Sequence, residues 1–205
     1  MKKIERDYQA KYGDISNDPV ERVLDFLCQK RLTKKTREYV MSEMDRIRNI
    51  KWKTIQFTIY LVPKGSPRPR HNSFTRSFYV SGAKDNHDIF MEAFENTDIP
   101  VIETPCKFRC DSYLPIPSAM TTGEIILAEA GLIRPSIIPD WDNLGKSYSD
   151  MVQNALISND ALIIEGVSRK FFSLKPRIEV CIEYMTDYDS KFAYNKSRKK
   201  VQSDE

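Results

Sequence analysis

Glycine is scarce in this chain, seven in 205 residues, and there are only two histidines and four cysteines. So little glycine beside 40% hydrophobic and 30% charged residues excludes collagen-like and wholly disordered material, and describes a soluble chain able to bury a core. The cysteines (Cys28, Cys106, Cys110 and Cys181) are too few and too scattered for a disulfide framework, so reduced thiols are expected. Cys106 and Cys110 fall on one side of an extended run but lack further ligands for zinc. No stretch approaches the roughly eighteen apolar residues of a membrane span. The opening Met1-Lys-Lys-Ile-Glu-Arg-Asp has no apolar secretory segment, so a cytoplasmic protein with no membrane contact is expected. The formal net charge of +3 is too small to name a partner.

What the chain does have is segregated charge. The stretch from Lys64 to Lys84 holds Lys64, Arg68, Arg70, Arg76 and Lys84 with no acid, whereas Asp140, Asp142, Asp150 and Asp160 collect downstream. Two readings fit: a solvated loop beside an acidic helix, or a phosphate-tracking strip beside a metal site.

The length suits one ordinary domain with an accessory segment, and the hydrophobic pattern divides the chain at three levels. Residues 1–50 read as a helical extension. Asn17-Asp18-Pro19 is a helix start with Val20, Val23, Leu24 and Leu27 on one face, and Thr33 starts a second helix running from Lys34 to Ile50 with a thin apolar stripe; together they suggest a hairpin. Residues 51–186 form the core domain. At Thr54 the period changes to two, with Ile55, Phe57, Ile59 and Leu61 alternating against polar residues as in a half-buried strand. A long irregular stretch, a short helix from about Lys84 to Glu95 and an extended run over Val101–Leu114 follow. Ser118 is the expected cap of a helix reaching Ala130, and a further helix is expected from Asp142 to Leu156. Two strands, Leu162–Leu174 and Arg177–Tyr184, close the domain. Residues 187–205 read as a polar, basic, disordered tail.

The chemistry concentrates in Pro139-Asp140-Trp141-Asp142-Asn143-Leu144-Gly145-Lys146. In an extended segment Asp140 and Asp142 share one side and Trp141 points to the other. Two carboxylates so close repel, and a shared proton or a divalent cation relieves them. Asp142 is also the expected helix N-cap, with Lys146 and Asp150 on its face and Leu144, Tyr148, Met151, Val152 and Ala155 forming the apolar stripe. Hard oxygen ligands without a nearby His or Cys suit Mg²⁺ or Mn²⁺, and Asp160 can return after the helix as a third carboxylate. The alternative is a cap, a loop residue and a turn residue with no shared role.

This stretch resembles the RusA family of Holliday junction resolvases, whose hallmark is Pro-Asp-x-Asp-Asn-x-x-Lys followed, after a helix, by an Asn-Asp or Asp-Asp turn; here the turn is Asn159-Asp160. Gly65-Ser-Pro-Arg-Pro-Arg70 looks like the family's basic loop, and Lys175-Pro-Arg-Ile-Glu-Val like its closing strand. The likeness covers about residues 52–185. It implies an α/β (α+β) domain, a small mixed sheet with helices packed on it, that forms a homodimer and cuts four-way junctions with Mg²⁺ by paired symmetric nicks in DNA recombination and repair. It further implies that Asp140, Asp142 and Asp160 bind the metal and that Lys146 assists at the phosphate. Ala161-Leu162 departs from the polar residue that relatives often place there. Lys64, Arg68, Arg70, His71, Arg76 and Lys84 are the expected DNA contacts, and Phe74 could stack on an unpaired base. Other branched DNA, such as flaps and forks, and a non-catalytic branched-DNA-binding module are the alternatives.

Overall fold

The computed structural model describes residues 18–27, 30–66, 70–72, 77–79, 84–94 and 99–188. The chain separates into two units, residues 1–49 and 50–205. In the first, α1 (Pro19–Phe26) is capped by Asp18, whose carboxylate accepts from the Val20 N–H at 2.7 Å. Helix α2 (Lys34–Arg48) is capped in the same way by Thr33, which accepts from Thr36 N–H at 3.2 Å. Both starts are the expected ones. Among the described residues neither helix buries any of its own side chains.

The second unit is a mixed α+β domain. Strands β1 (Trp52–Ile59), β4 (Cys106–Pro115), β5 (Ile163–Ser173) and β6 (Arg177–Met185) form a sheet in the order β1-β6-β4-β5. Pairs β1/β6 and β4/β6 are antiparallel, and β4/β5 is parallel. A parallel pair needs a long crossover, and here it contains α4 (Thr122–Glu129) and α5 (Trp141–Ala155). Within the basic stretch read as irregular, β2 (Arg70–Asn72) and β3 (Ser77–Tyr79) pair antiparallel, and α3 (Lys84–Glu92) follows.

Alternation decides which sheet face is covered. Cys106, Phe108 and Cys110 of β4 and Ile178, Val180 and Ile182 of β6 pack against Leu144, Tyr148, Met151 and Val152 of α5, the stripe legible in the sequence. Phe57, Phe90 and Phe94 close one end, with ring centroids 4.8–6.0 Å apart at tilted or edge-on angles. On the other face, register sets Asp111 of β4 opposite Arg169 of β5. The Asp111 carboxylate is almost wholly buried and receives both the Nε (2.6 Å) and a terminal nitrogen of Arg169. This fork-to-fork geometry ties the parallel pair, and donating to the Asp111 carboxylate pushes the Arg169 guanidinium's pKa upward.

Two expected helix starts move. Helix α4 begins at Thr122 rather than after Ser118. Thr121 and Glu124 form a reciprocal capping box there, satisfying two orphan amides where Ser118 would have satisfied one. Helix α5 begins at Trp141, with Asp140 as the N-cap residue in extended geometry (φ −65°, ψ 152°); the Leu144 N–H already donates to the Asp140 carbonyl at 3.1 Å. Asp142 is therefore the second residue of the helix and not its cap.

Candidate functional site

The start of α5 is fastened to the edge strand β5 by a reciprocal pair of bonds. Trp141 Nε1 donates to the Ser168 carbonyl at 2.6 Å, and Ser168 Oγ donates to the Trp141 carbonyl at 3.3 Å. One turn on, helix and strand nearly touch. A Cβ on Gly145 would lie 3.2 Å from Ser168 Cβ, tighter than ordinary contact, so the absence of a side chain at 145 sets the approach.

Between helix and strand lies a cleft of about 340 Å³ lined by Trp141, Asp142, Gly145, Lys146 and Ser149 of α5, Asp160 and Ile163 of the following turn and strand, Phe108 of β4, and Gly166, Val167 and Ser168 of β5. Asp142 and Lys146 enter it together because they stand four residues apart on one helical face. Asp160 arrives by a pinned return. Leu156 caps α5, its carbonyl accepts from Ile102 N–H at 2.7 Å, and Ser158 N–H donates to the Ile102 carbonyl at 3.0 Å. Asn159 then spends its side chain on the Ala161 N–H at 2.8 Å, capping the short 3₁₀ turn Asp160–Leu162 and leaving the Asp160 carboxylate exposed at the cleft. Three of the four expected catalytic residues, Asp142, Lys146 and Asp160, thus share one cleft.

Asp140 does not line it. Its carboxylate is exposed at the helix cap and makes no capping hydrogen bond. The expectation that Asp140 and Asp142 occupy one side of an extended segment, with Trp141 opposite, is replaced by a helical arrangement in which Trp141 and Asp142 both line the cleft. The helix cap falls two residues earlier than expected, at Asp140 instead of Asp142, and this turns Trp141 toward the cleft. Lys146 Nζ lies 3.5 Å from Asp150 Oδ2, both half to mostly exposed, so the lysine is held by a loose solvent-screened pair.

The basic loop meets this motif directly. A Cβ on Gly65 would overlap the Asn143 side-chain amide and come within 3.3 Å of Pro139 Cβ, so the loop's glycine is what lets it lie against the acidic segment. Lys64 donates its backbone N–H to the Tyr148 hydroxyl at 3.2 Å, and Asn86 of α3 donates to the Val62 carbonyl at 2.9 Å. Burial, opposed by hydrogen bonding to the Tyr148 hydroxyl from the Lys64 N–H and the Asn86 side chain, raises the hydroxyl's pKa and keeps it a neutral anchor. The Lys64 side chain is exposed. Arg70 and His71 lie in β2 and Lys84 opens α3, but their side chains, like Arg68, Phe74, Arg76 and the 189–205 tail, lie outside the described residues.

The cleft's side-chain ligand atoms are hard oxygens, two carboxylates and the Ser149 and Ser168 hydroxyls, with no thiol or imidazole. Mg²⁺ binds through one or two carboxylates together with water and substrate phosphate, so this donor set fits it, with Asp140 adjacent. Among the described residues no three His, Cys, Asp or Glu side chains gather into a ready-made ligand group. The thiols of Cys106, Cys110 and Cys181 are free and buried. Among the described residues no helix is long and apolar enough to cross a membrane.

The model of a protein family described as Endodeoxyribonuclease RusA matches residues 61–183. That span holds the basic loop, α5, the Asn159-Asp160 turn and nearly all of β6. A relative from Bacillus subtilis (strain 168), the uncharacterized protein YqaN, is 28% identical over 134 residues, 62% of this chain and 94% of the relative. Sequence reasoning missed Trp141, Gly145 and the β5 wall as parts of the site. Only the unusual glycines in otherwise side-chain-rich elements signalled close approach.

Proposed function

Because this chain belongs to the Endodeoxyribonuclease RusA family, we propose that it is a Mg²⁺-dependent endonuclease for branched DNA, which resolves four-way junctions by paired nicks as a homodimer. The observation that carries this reading is the shared cleft of Asp142, Lys146 and Asp160, with the basic loop's Gly65 seated on Asn143 of the same motif. Asp142 and Asp160, with Asp140 beside them, would hold Mg²⁺, which when bound supplies Lewis-acid stabilisation and an acidified water. The protein's own part is positional and electrostatic. Lys146, paired only loosely with Asp150, exchanges that carboxylate for a phosphate oxygen and balances charge developing there. Lys64, Arg68, Arg70, His71, Arg76 and Lys84 track the phosphates that lead to the cleft.

The test is cleavage of end-labelled four-way junction, flap, fork and plain duplex by the full chain, with Mg²⁺ and with chelator. Paired symmetric nicks in the junction, abolished by chelation, are expected. Preferential cutting of flaps or forks would replace the junction by those substrates. Binding without cutting on every substrate would overturn the enzymatic reading in favour of a branched-DNA-binding module.

A further inference from the structure

Trp141 is the feature of the cleft that the chemistry above leaves without a role. Its side chain is 60% exposed, although a tryptophan ring gains more than most side chains from burial. It is not loose: the indole N–H is spent on the Ser168 carbonyl at 2.6 Å, so the ring's edge is fixed and its exposed surface is pre-ordered. The ring lines the same cleft as Asp142, Lys146 and Asp160, with Val167 of β5 and the buried Phe108 contributing apolar wall.

We propose that Trp141 is a positioning residue, a stacking platform for a nucleobase that branching has freed from its neighbours, beside the phosphate engaged by the cleft. This rests on the nuclease reading of the site. A protein partner on this ring would have to desolvate the adjoining carboxylates and lysine, whereas a nucleotide brings its phosphate to the charged side and its base to the ring. In a plain duplex every base is already stacked on two others and offers no face. At a branch point a base can leave the stack, and aromatic stacking then favours the branched form over duplex without reading sequence.

The chain has two tryptophans, so Trp52→Phe leaves Trp141 as the single reporter. Full-length Trp52→Phe protein is titrated in chelator with four-way junction, single-strand flap and plain duplex, following tryptophan emission and, in parallel, the anisotropy of dye-labelled DNA. Emission quenched by branched DNA but not by duplex is expected, with the quench lost when the branch nucleotides are abasic. Trp141→Ala is expected to reduce the preference for branched over plain DNA about tenfold, and Trp141→Phe to restore most of it. Phenylalanine keeps a stacking face but cannot make the Ser168 bond, so rescue separates stacking from structural support. Unchanged emission at saturating junction, or a Trp141→Ala chain with its preference intact, would overturn the proposal. The emission readout stands even where Trp141→Ala fails to fold. Quenching without any cutting in Mg²⁺ would refute the nuclease reading alone, and cutting without quenching would refute this proposal alone.

Discussion

At the scale of single residues, carboxylates and thiols make opposite uses of their surroundings. Asp142 and Asp160 are exposed at the cleft, so removing their charge costs little packing. Asp142→Asn and Asp160→Asn are each expected to slow cleavage by more than about a hundredfold while junction affinity holds or rises, since negative charge leaves the phosphate's path. Single-turnover cleavage beside anisotropy titration separates the two effects. Cys106 and Cys110 are sealed in. Burial pushes the Cys106 thiol from 9.0 up to about 11, and burial together with the neighbouring Asp111 carboxylate pushes Cys110 up to about 12. Because the folded values exceed the unfolded one, the neutral thiols' contribution to stability is complete below about pH 9 and is lost as pH rises through about 11 to 12. Peptide mapping after alkylation at pH 8 is expected to find both unmodified in native protein and both labelled in urea.

Among the secondary-structure elements, the junction between the basic loop and α5 decides whether positive and negative charge meet. Gly65→Ala forces the Asn143 side chain aside, at an expected cost of about 1–2 kcal/mol. Adding Asn143→Ala removes the obstruction and is expected to recover most of that loss, a coupling measurable by urea unfolding of the four members of the cycle. Such a contact spans nearly eighty positions of sequence and has no local periodicity. What was legible was local. The Asp18 and Thr33 caps, the four strands of the main sheet and the Leu144–Val152 stripe all follow from period and capping chemistry that neighbouring residues carry, whereas the short β2/β3 pair lies in a stretch that carries neither. The start of α4 was legible in principle, because Thr121-x-x-Glu124 is a stronger cap than Ser118. The start of α5 was not. Asp140 and Asp142 are both good caps, and the choice falls to Asp140 where Trp141 and Ser168 exchange hydrogen bonds, a tertiary event. Asp142, Lys146 and Asp160 therefore meet in one cleft as the motif suggests, while Trp141 joins them there instead of facing away.

For the whole molecule the open question is symmetry. The described residues place Asp142, Lys146 and Asp160 in a single cleft, and two matched nicks on a two-fold substrate call for two such clefts related by a two-fold axis. A dimer is expected in solution, and light scattering on the full chain and on a chain starting at Lys51 tests whether residues 1–50 contribute to it. A monomer that stays monomeric on junction DNA and nicks one strand per encounter would refute paired resolution. Within the chain, the two carboxylates belong to opposite banks of a seam. Asp142 rides on the helix, and Asp160 on the turn that feeds the edge strand. The spacing of the banks is gauged by a hydrogen atom at position 145, since even a methyl there would stand 3.2 Å from Ser168 Cβ. A shift of a few tenths of an ångström is small against the stability of a fold and large against the alignment of reacting atoms. Gly145→Ala is therefore expected to lower the cleavage rate about tenfold or more while the melting temperature moves by only a few degrees. In that sense the seam has a machinist's tolerance, finer than the one folding itself requires.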